Sequence, residues 1–301
     1  MADAEARFLG YESSDLSEAY FSLIPAPHDA TASYIRGQAL APQKILDASS
    51  IIDDYDEETG LSLIDMIGIH ALAPESAPTE PGQLEPWVKE RVAEALAATA
   101  VPVILGGDGT VSLWGITALL ANSPELTVLH IDANADLGDV DDEDGSENHH
   151  TVMRRVLELE HPPSICQVGI RTLSRDSFER IMDSSISVET FFMADVDRSP
   201  DESWQDSVID ELRSPVYLSI DMTGLDPSVA PAVGAPEPGG LRWWQLLRLL
   251  KKVASRRRIA AIDITELCPT ENSIQSELAA ARLIYKTMNY IQANGKMLSK
   301  P

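Results

Sequence analysis

Cysteine is scarce in this sequence: Cys166 and Cys268 are the only two in 301 residues, each in or beside an apolar segment. That is too few for a disulfide framework and implies reduced thiols, as in a cytoplasmic protein. Basic residues are also short, 23 Lys and Arg against 48 Asp and Glu, which leaves a net charge of -25. Such a chain repels phosphate backbones and anionic bilayers, so no nucleic acid and no membrane partner is expected. No basic and apolar leader is present, and no run of about twenty apolar residues interrupts the sequence, which argues against secretion and membrane insertion.

What is present is a long alternation of strand and helix. Residues 1–18 are polar, acidic and without periodicity, and read as a flexible N-terminal arm, loose or hugging the surface, ahead of a single domain over 19–301. Strands are predicted at Tyr20–Ile24, Leu61–Ile67, Val101–Leu105, Val128–Ile131, Ile165–Val168, Ile186–Val188, Val216–Ile220 and Ile259–Ile264. Helices are predicted to end near Ala48, to open at Pro86, Thr110, Thr151 and Arg175, to fill Asp201–Leu212 and Trp243–Val253, and to begin again near Ile274. About eight strands, apolar on both faces, imply a parallel sheet between two helical layers, a three-layer α/β/α fold. Pro25–Gln43 is a long loop, the kind that carries function or an interface.

Four strand ends carry polar residues: Gly106-Gly107-Asp108-Gly109-Thr110, then Asp132, Asn134 and Asp136 at a spacing of two, then Ser219-Ile-Asp221-Met-Thr223-Gly-Leu-Asp226-Pro227, and finally Asp263-Ile-Thr-Glu266. Alternate residues leaving a strand point one way, so Asp132, Asn134 and Asp136 enter one pocket at the carboxyl edge of the sheet, where open α/β folds bind ligands. His130, inside its strand, reads as a satisfied core histidine. Seven acids in Asp136–Glu147 lack the glycine placement of a calcium loop and read as a solvated run. Arg248, Lys251, Lys252, Arg256, Arg257 and Arg258 complement a helix dipole, or dock an acidic neighbour.

These motifs resemble the ureohydrolases, the arginase and agmatinase family, over roughly Ile24–Ile291. The stretch SIDMTGLDPSVAPAVGAPEPGG is similar to the family's long S-x-D-x-D-x-x-D-P signature. The resemblance implies an arginase-like fold and a site where GGDH, DAHxD and SxDxD motifs supply two His and four Asp to a pair of manganese or nickel ions, whose bridging hydroxide attacks a guanidinium carbon and releases urea. Carried over residue by residue, Asp132, Asp136 and Asp221 are retained, whereas Gly109, Asn134 and Thr223 stand at three ligand positions. One ion loses a single ligand and the other loses both ligands it does not share. Glycine offers no donor, and amide or hydroxyl oxygens bind transition metals weakly. Without a cation the three carboxylates need a raised pKa, a nearby Lys or Arg, or hydrogen bonds from Asn134 and Thr223. His149 aligns with a histidine near the substrate and Glu266 with a guanidinium-pairing acid, both expected as vestiges.

The resemblance therefore implies a chain with no catalytic residue and no metal of its own. It is similar to the metal-poor subunit of two-component guanidine hydrolases of the metformin hydrolase kind, a hetero-oligomer, trimer or hexamer, with a catalytic paralogue that carries the manganese or nickel. Two alternatives stay open. One is a single-metal guanidino hydrolase using Asp132, Asp136 and Asp221, with His149 as acid or base. The other is a metal-free module that binds guanidino compounds through Glu266 and Asp221.

Overall fold

The computed structural model describes residues 6–31, 35–139 and 145–294. Eight strands form among them: β1 (Ala19–Ala26), β2 (Gly68–Ala71), β3 (Val101–Gly106), β4 (Thr127–Ile131), β5 (Ser164–Ile170), β6 (Val188–Phe192), β7 (Val216–Asp221) and β8 (Ile259–Thr265). They make one sheet in the order β2-β1-β3-β8-β7-β4-β5-β6, and every pairing is parallel. In β3, β4, β7 and β8 every residue is buried, as strands covered on both faces must be.

The helices are α1 (Ala41–Ser49), α2 (Pro81–Ala97), α3 (Thr110–Leu120), α4 (Val152–Leu157), α5 (Arg175–Ile181), α6 (Met193–Asp197), α7 (Trp204–Glu211), α8 (Trp243–Arg256) and α9 (Gln275–Ala293). Ile45 of α1, Val208 of α7, Leu246 and Leu250 of α8 and Ile284 of α9 close the core on one face. On the other face Val88 of α2, Trp114 and Ile116 of α3 and Val156 of α4 do so. The expected three-layer α/β/α architecture is the one found.

The order of the strands places the site. β3, β8, β7 and β4, the strands whose ends carry the four polar motifs, lie side by side at the centre of the sheet. Ile131 pairs with Ile220 and Asp221 with Thr265, so neighbouring strands end level and their motifs meet.

Three elements depart from the expected boundaries. Leu61–Ile67 is not a strand, because the Asp54 carboxylate accepts the backbone N–H groups of Leu63 and Ile64 and ties the segment into a turn. The strand begins only at Gly68. The helix expected to open at Pro86 opens at Pro81, where the missing N–H costs nothing, and Pro86 sits a turn inside it. The strand expected at Ile186–Val188 starts at Val188 and runs to Phe192, with the short α6 directly after it.

Residues 6–18, expected in a flexible arm, are fastened along β2. Phe8 and Leu9 are buried, Ala6 and Ser14 donate their N–H groups to Ala71 and Ile69, and Ser13 accepts from Ala71. They cover what is otherwise an open sheet edge. Three basic residues of α8 are turned to acids of this chain: Arg248 to Glu202, Lys251 to Glu58 and Lys252 to Asp206. Of the acidic run, 140–144 lie outside the described residues, and Asp139 pairs with Arg154 and Arg155. Among the described residues no helix is long and apolar enough to cross a membrane.

Candidate active site

The strand ends enclose a cavity of about 110 Å³ lined by Asp132, Asn134, Asp136, Asp221, Thr223 and Glu266, together with Gln38, His149, His150, Gly234 and Ala235. Asp132, Asp136 and Asp221 therefore meet as expected, and the residues at the three altered positions stand with them. Asn134 and Thr223 line the cavity. Gly109 turns its backbone toward it and donates its N–H to Glu266 Oε1 at 2.7 Å.

Thr223 connects two of the acids. Its Oγ1 lies 2.7 Å from Asp132 Oδ1 and 2.5 Å from Asp221 Oδ1, and its N–H donates to the same Asp221 oxygen at 2.7 Å. A hydroxyl owns one proton, so it satisfies one carboxylate and the other must bring a proton of its own. Electrostatics divide the acids accordingly. Burial pushes Asp132 up, but hydrogen bonds from His130, the Asn134 N–H and Thr223 outweigh it and hold that carboxyl below its ordinary range. Asp221 is driven well up by burial and by the charges of Asp132 and Glu266. Burial and the charges of Asp132, Asp221 and Glu266 do the same to Asp136. The relief expected from the Asn134 side chain comes instead from its backbone N–H, 3.0 Å from Asp132 Oδ1, while its buried Oδ1 has no partner among the described residues.

His130 is a core histidine, 2% exposed, but it also belongs to the site. Its Nε2 lies 3.2 Å from Asp132 Oδ2 and 3.8 Å from Asp136 Oδ2. His130, Asp132 and Asp136 bring ligand atoms within 4.8 Å of one another, close enough to surround one ion. Among the described residues the three altered positions offer too little for a pair of ions: Gly109 contributes no donor atom, Thr223 Oγ1 is already shared between Asp132 and Asp221, and Asn134 offers a single amide oxygen.

Other motif residues hold the walls rather than the cavity. Asp108 accepts from the N–H and Oγ1 of Thr31 and from the N–H of Thr110, which pins the long loop after β1. Thr31 Oγ1 also meets His149 Nδ1 at 3.1 Å. Gly107 is required here, because a Cβ would fall 1.7 Å from the His28 carbonyl oxygen. Asp226 caps its own loop through the N–H groups of Ser228, Gly239 and Gly240. Asp263 faces away, accepting from Ser219 beneath α3. Sequence reasoning missed Gln38, Gln167 and Arg171. The long loop pointed toward Gln38, whereas Gln167 and Arg171 carry no local signal.

A three-layer parallel α/β protein with a buried cluster of carboxylates at the carboxyl edge of its sheet defines the class. The chain belongs to the arginase family, whose pattern it matches over residues 19–289. It is 32% identical over 281 residues to the N(1)-aminopropylagmatine ureohydrolase of Synechocystis sp., covering 91% of this chain and 90% of that one. Among solved structures it is similar to the agmatine ureohydrolase of Thermoplasma volcanium, with a TM-score of 0.81, 26% identity, and coverage of 94% of this chain and 93% of that one. The proclavaminate amidino hydrolase of Streptomyces clavuligerus shares the fold, with a TM-score of 0.85 at 22% identity over 97% and 98% of the two chains.

Glu266 leads to a pH prediction. Burial and the charges of Asp108 and Asp132 raise its carboxyl from 4.5 to about 8, although the Gly109 N–H stabilises the ionised form. A carboxyl raised in the folded state binds more protons folded than unfolded between those two values, so stability falls as pH rises from about 4.5 to about 8. Thermal scans across that window are expected to show a falling Tm, with a flatter slope in Glu266→Gln. A slope unchanged by the substitution refutes the assignment.

Proposed function

We propose that this chain is a non-catalytic subunit of a metal-dependent ureohydrolase, associated with a paralogue that hydrolyses a guanidine or biguanide C–N bond and releases urea. The carrying observation is that Gly109, Asn134 and Thr223 stand where the family pattern has donors, in a cleft that gathers Asp132, Asp136 and Asp221. Asp132, Asp136, Asp221, His149 and Glu266 remain as structural vestiges, and the manganese or nickel belongs to the partner. Losing one donor weakens a site, but losing both private donors of one ion removes the paired centre that activates water. The fold then persists for the surfaces it offers a partner, in a trimer or hexamer. The relatives' names support urea-releasing chemistry for the assembly, and the biguanide class comes from the resemblance of the altered motifs to the metformin hydrolase kind.

Co-expression with a complete paralogue tests this reading. The expected result is a mixed oligomer whose metal and urea release depend on the paralogue's ligands and survive Asp221→Asn in this chain. A chain that releases urea alone, or never associates with a paralogue, overturns it. The clustering of His130 with Asp132 and Asp136 favours a second reading, a single-metal hydrolase, which predicts one ion and turnover in the isolated chain.

A further inference from the structure

The amide of Gln167, one strand away on β5, decides what His130 can do. Gln167 Nε2 donates to the Ala135 carbonyl at 2.7 Å, and its Oε1 accepts from Thr190 Oγ1 at 3.2 Å. A flipped amide would set two oxygens against each other at Ala135, so its orientation is fixed by its neighbours. The same Nε2 lies 3.1 Å from His130 Nδ1. Since that nitrogen faces a donor, it must accept, and the ring proton sits on Nε2. Nε2 is the atom that faces Asp132 and Asp136. A metal-ligating imidazole needs a lone pair there and a donor N–H behind, the opposite tautomer. On the other side of the carboxylates, Thr223 Oγ1 spans Asp132 and Asp221.

We infer that this site is built against a metal rather than around one: Thr223 bridges Asp132 and Asp221, donating to one and accepting the proton of the other, and Gln167 holds His130 with a proton, not a lone pair, toward the acids. The altered residues are then replacements with a structural task and not only losses. The single-ion cluster of His130, Asp132 and Asp136 is closed by the same network, since its imidazole presents a proton where the ion would sit. The inference rests on the non-catalytic reading of the site, yet the two fail separately. A chain that stays metal-free but finds no paralogue overturns only the subunit assignment.

The test uses the full-length chain alone. After dialysis against manganese or nickel chloride and desalting, elemental analysis is expected to find a substoichiometric metal content. The Tm should be the same with either salt and with a chelator. Nitrogen-15 NMR of His130 should show the proton on Nε2. Thr223→Ser keeps the bridge and should keep the Tm, whereas Thr223→Val, of the same shape, should lower it by about 3–6 °C. One ion per wild-type chain, a proton on Nδ1 in wild type, or a Tm unaffected by Thr223→Val overturns the inference.

Discussion

The triple substitution G109H/N134H/T223D is expected to give a chain that binds two manganese ions and is stabilised by them, where the wild-type chain is proposed to hold none. The backbone already permits it. Gly109 has φ −59°, an ordinary right-handed conformation, and a Cβ placed there would lie 3.5 Å from His149 Cβ and 3.7 Å from Glu266 Oε1, in normal van der Waals contact. Asn134 and Thr223 line the cavity beside the three retained acids, so a new imidazole and a new carboxylate join a cluster already in place. With free metal at about a hundred times Kd, each site adds about 2.7 kcal/mol, so two sites raise Tm by about 10–20 °C in a chain of this size. Without metal the variant should be less stable than wild type, since Thr223→Asp exchanges a bridging hydroxyl for another buried charge. Elemental analysis and thermal scans with manganese or a chelator check both directions. A variant that folds and still takes up no metal would show that the cleft differs from its relatives in more than these three side chains.

Arg171→Met is expected to cost about 3–5 kcal/mol, because it removes the donor that holds the β7 signature loop in place. The guanidinium donates to the carbonyl oxygens of Thr223 and Glu237 at 2.7 Å, of Gly169 and Pro238 at 3.1 Å, and of Leu225 at 3.4 Å. It gathers the start and end of the signature into one knot beside the cavity. Methionine fills much of the space and satisfies none of those oxygens. Lysine keeps the charge but loses the planar fork, so Arg171→Lys should recover only part of the stability. Denaturant titration measures the loss, and a cost within about 0.5 kcal/mol, the range of an ordinary surface substitution, would sink the assignment.

The central strands were legible because they are apolar on both faces and end in residues that no buried strand would otherwise carry. Asp132, Asp221 and Glu266 announced their common edge without any knowledge of the strand order. Leu61–Ile67 misled because apolar content favours a strand, whereas the Asp54 carboxylate that captures its backbone is a local competitor with no periodic signature. Gln38, Gln167 and Arg171 reach the site through the tertiary fold. Gln167 looked like one polar residue in a strand, and its meaning depends on the neighbours it meets across β4 and β6. His130 was read as a core residue from its place in a strand. It is one, and its second place beside Asp132, with its far nitrogen against Gln167, shows only in the fold.

β8, the last of the described strands in chain order, lies between β3 and β7, which bears on biosynthesis. While the ribosome still holds residues 259–265, β3 and β7 are separated by the width of a missing strand, and neither can complete its ladder. Glu266 arrives together with that strand. The carboxylate cleft therefore assembles last, after most of the sheet has been made, and closing so distant a pairing is slow compared with local contacts. A nascent or prematurely terminated chain lacking β8 exposes two unpaired central edges to whatever other strands are nearby.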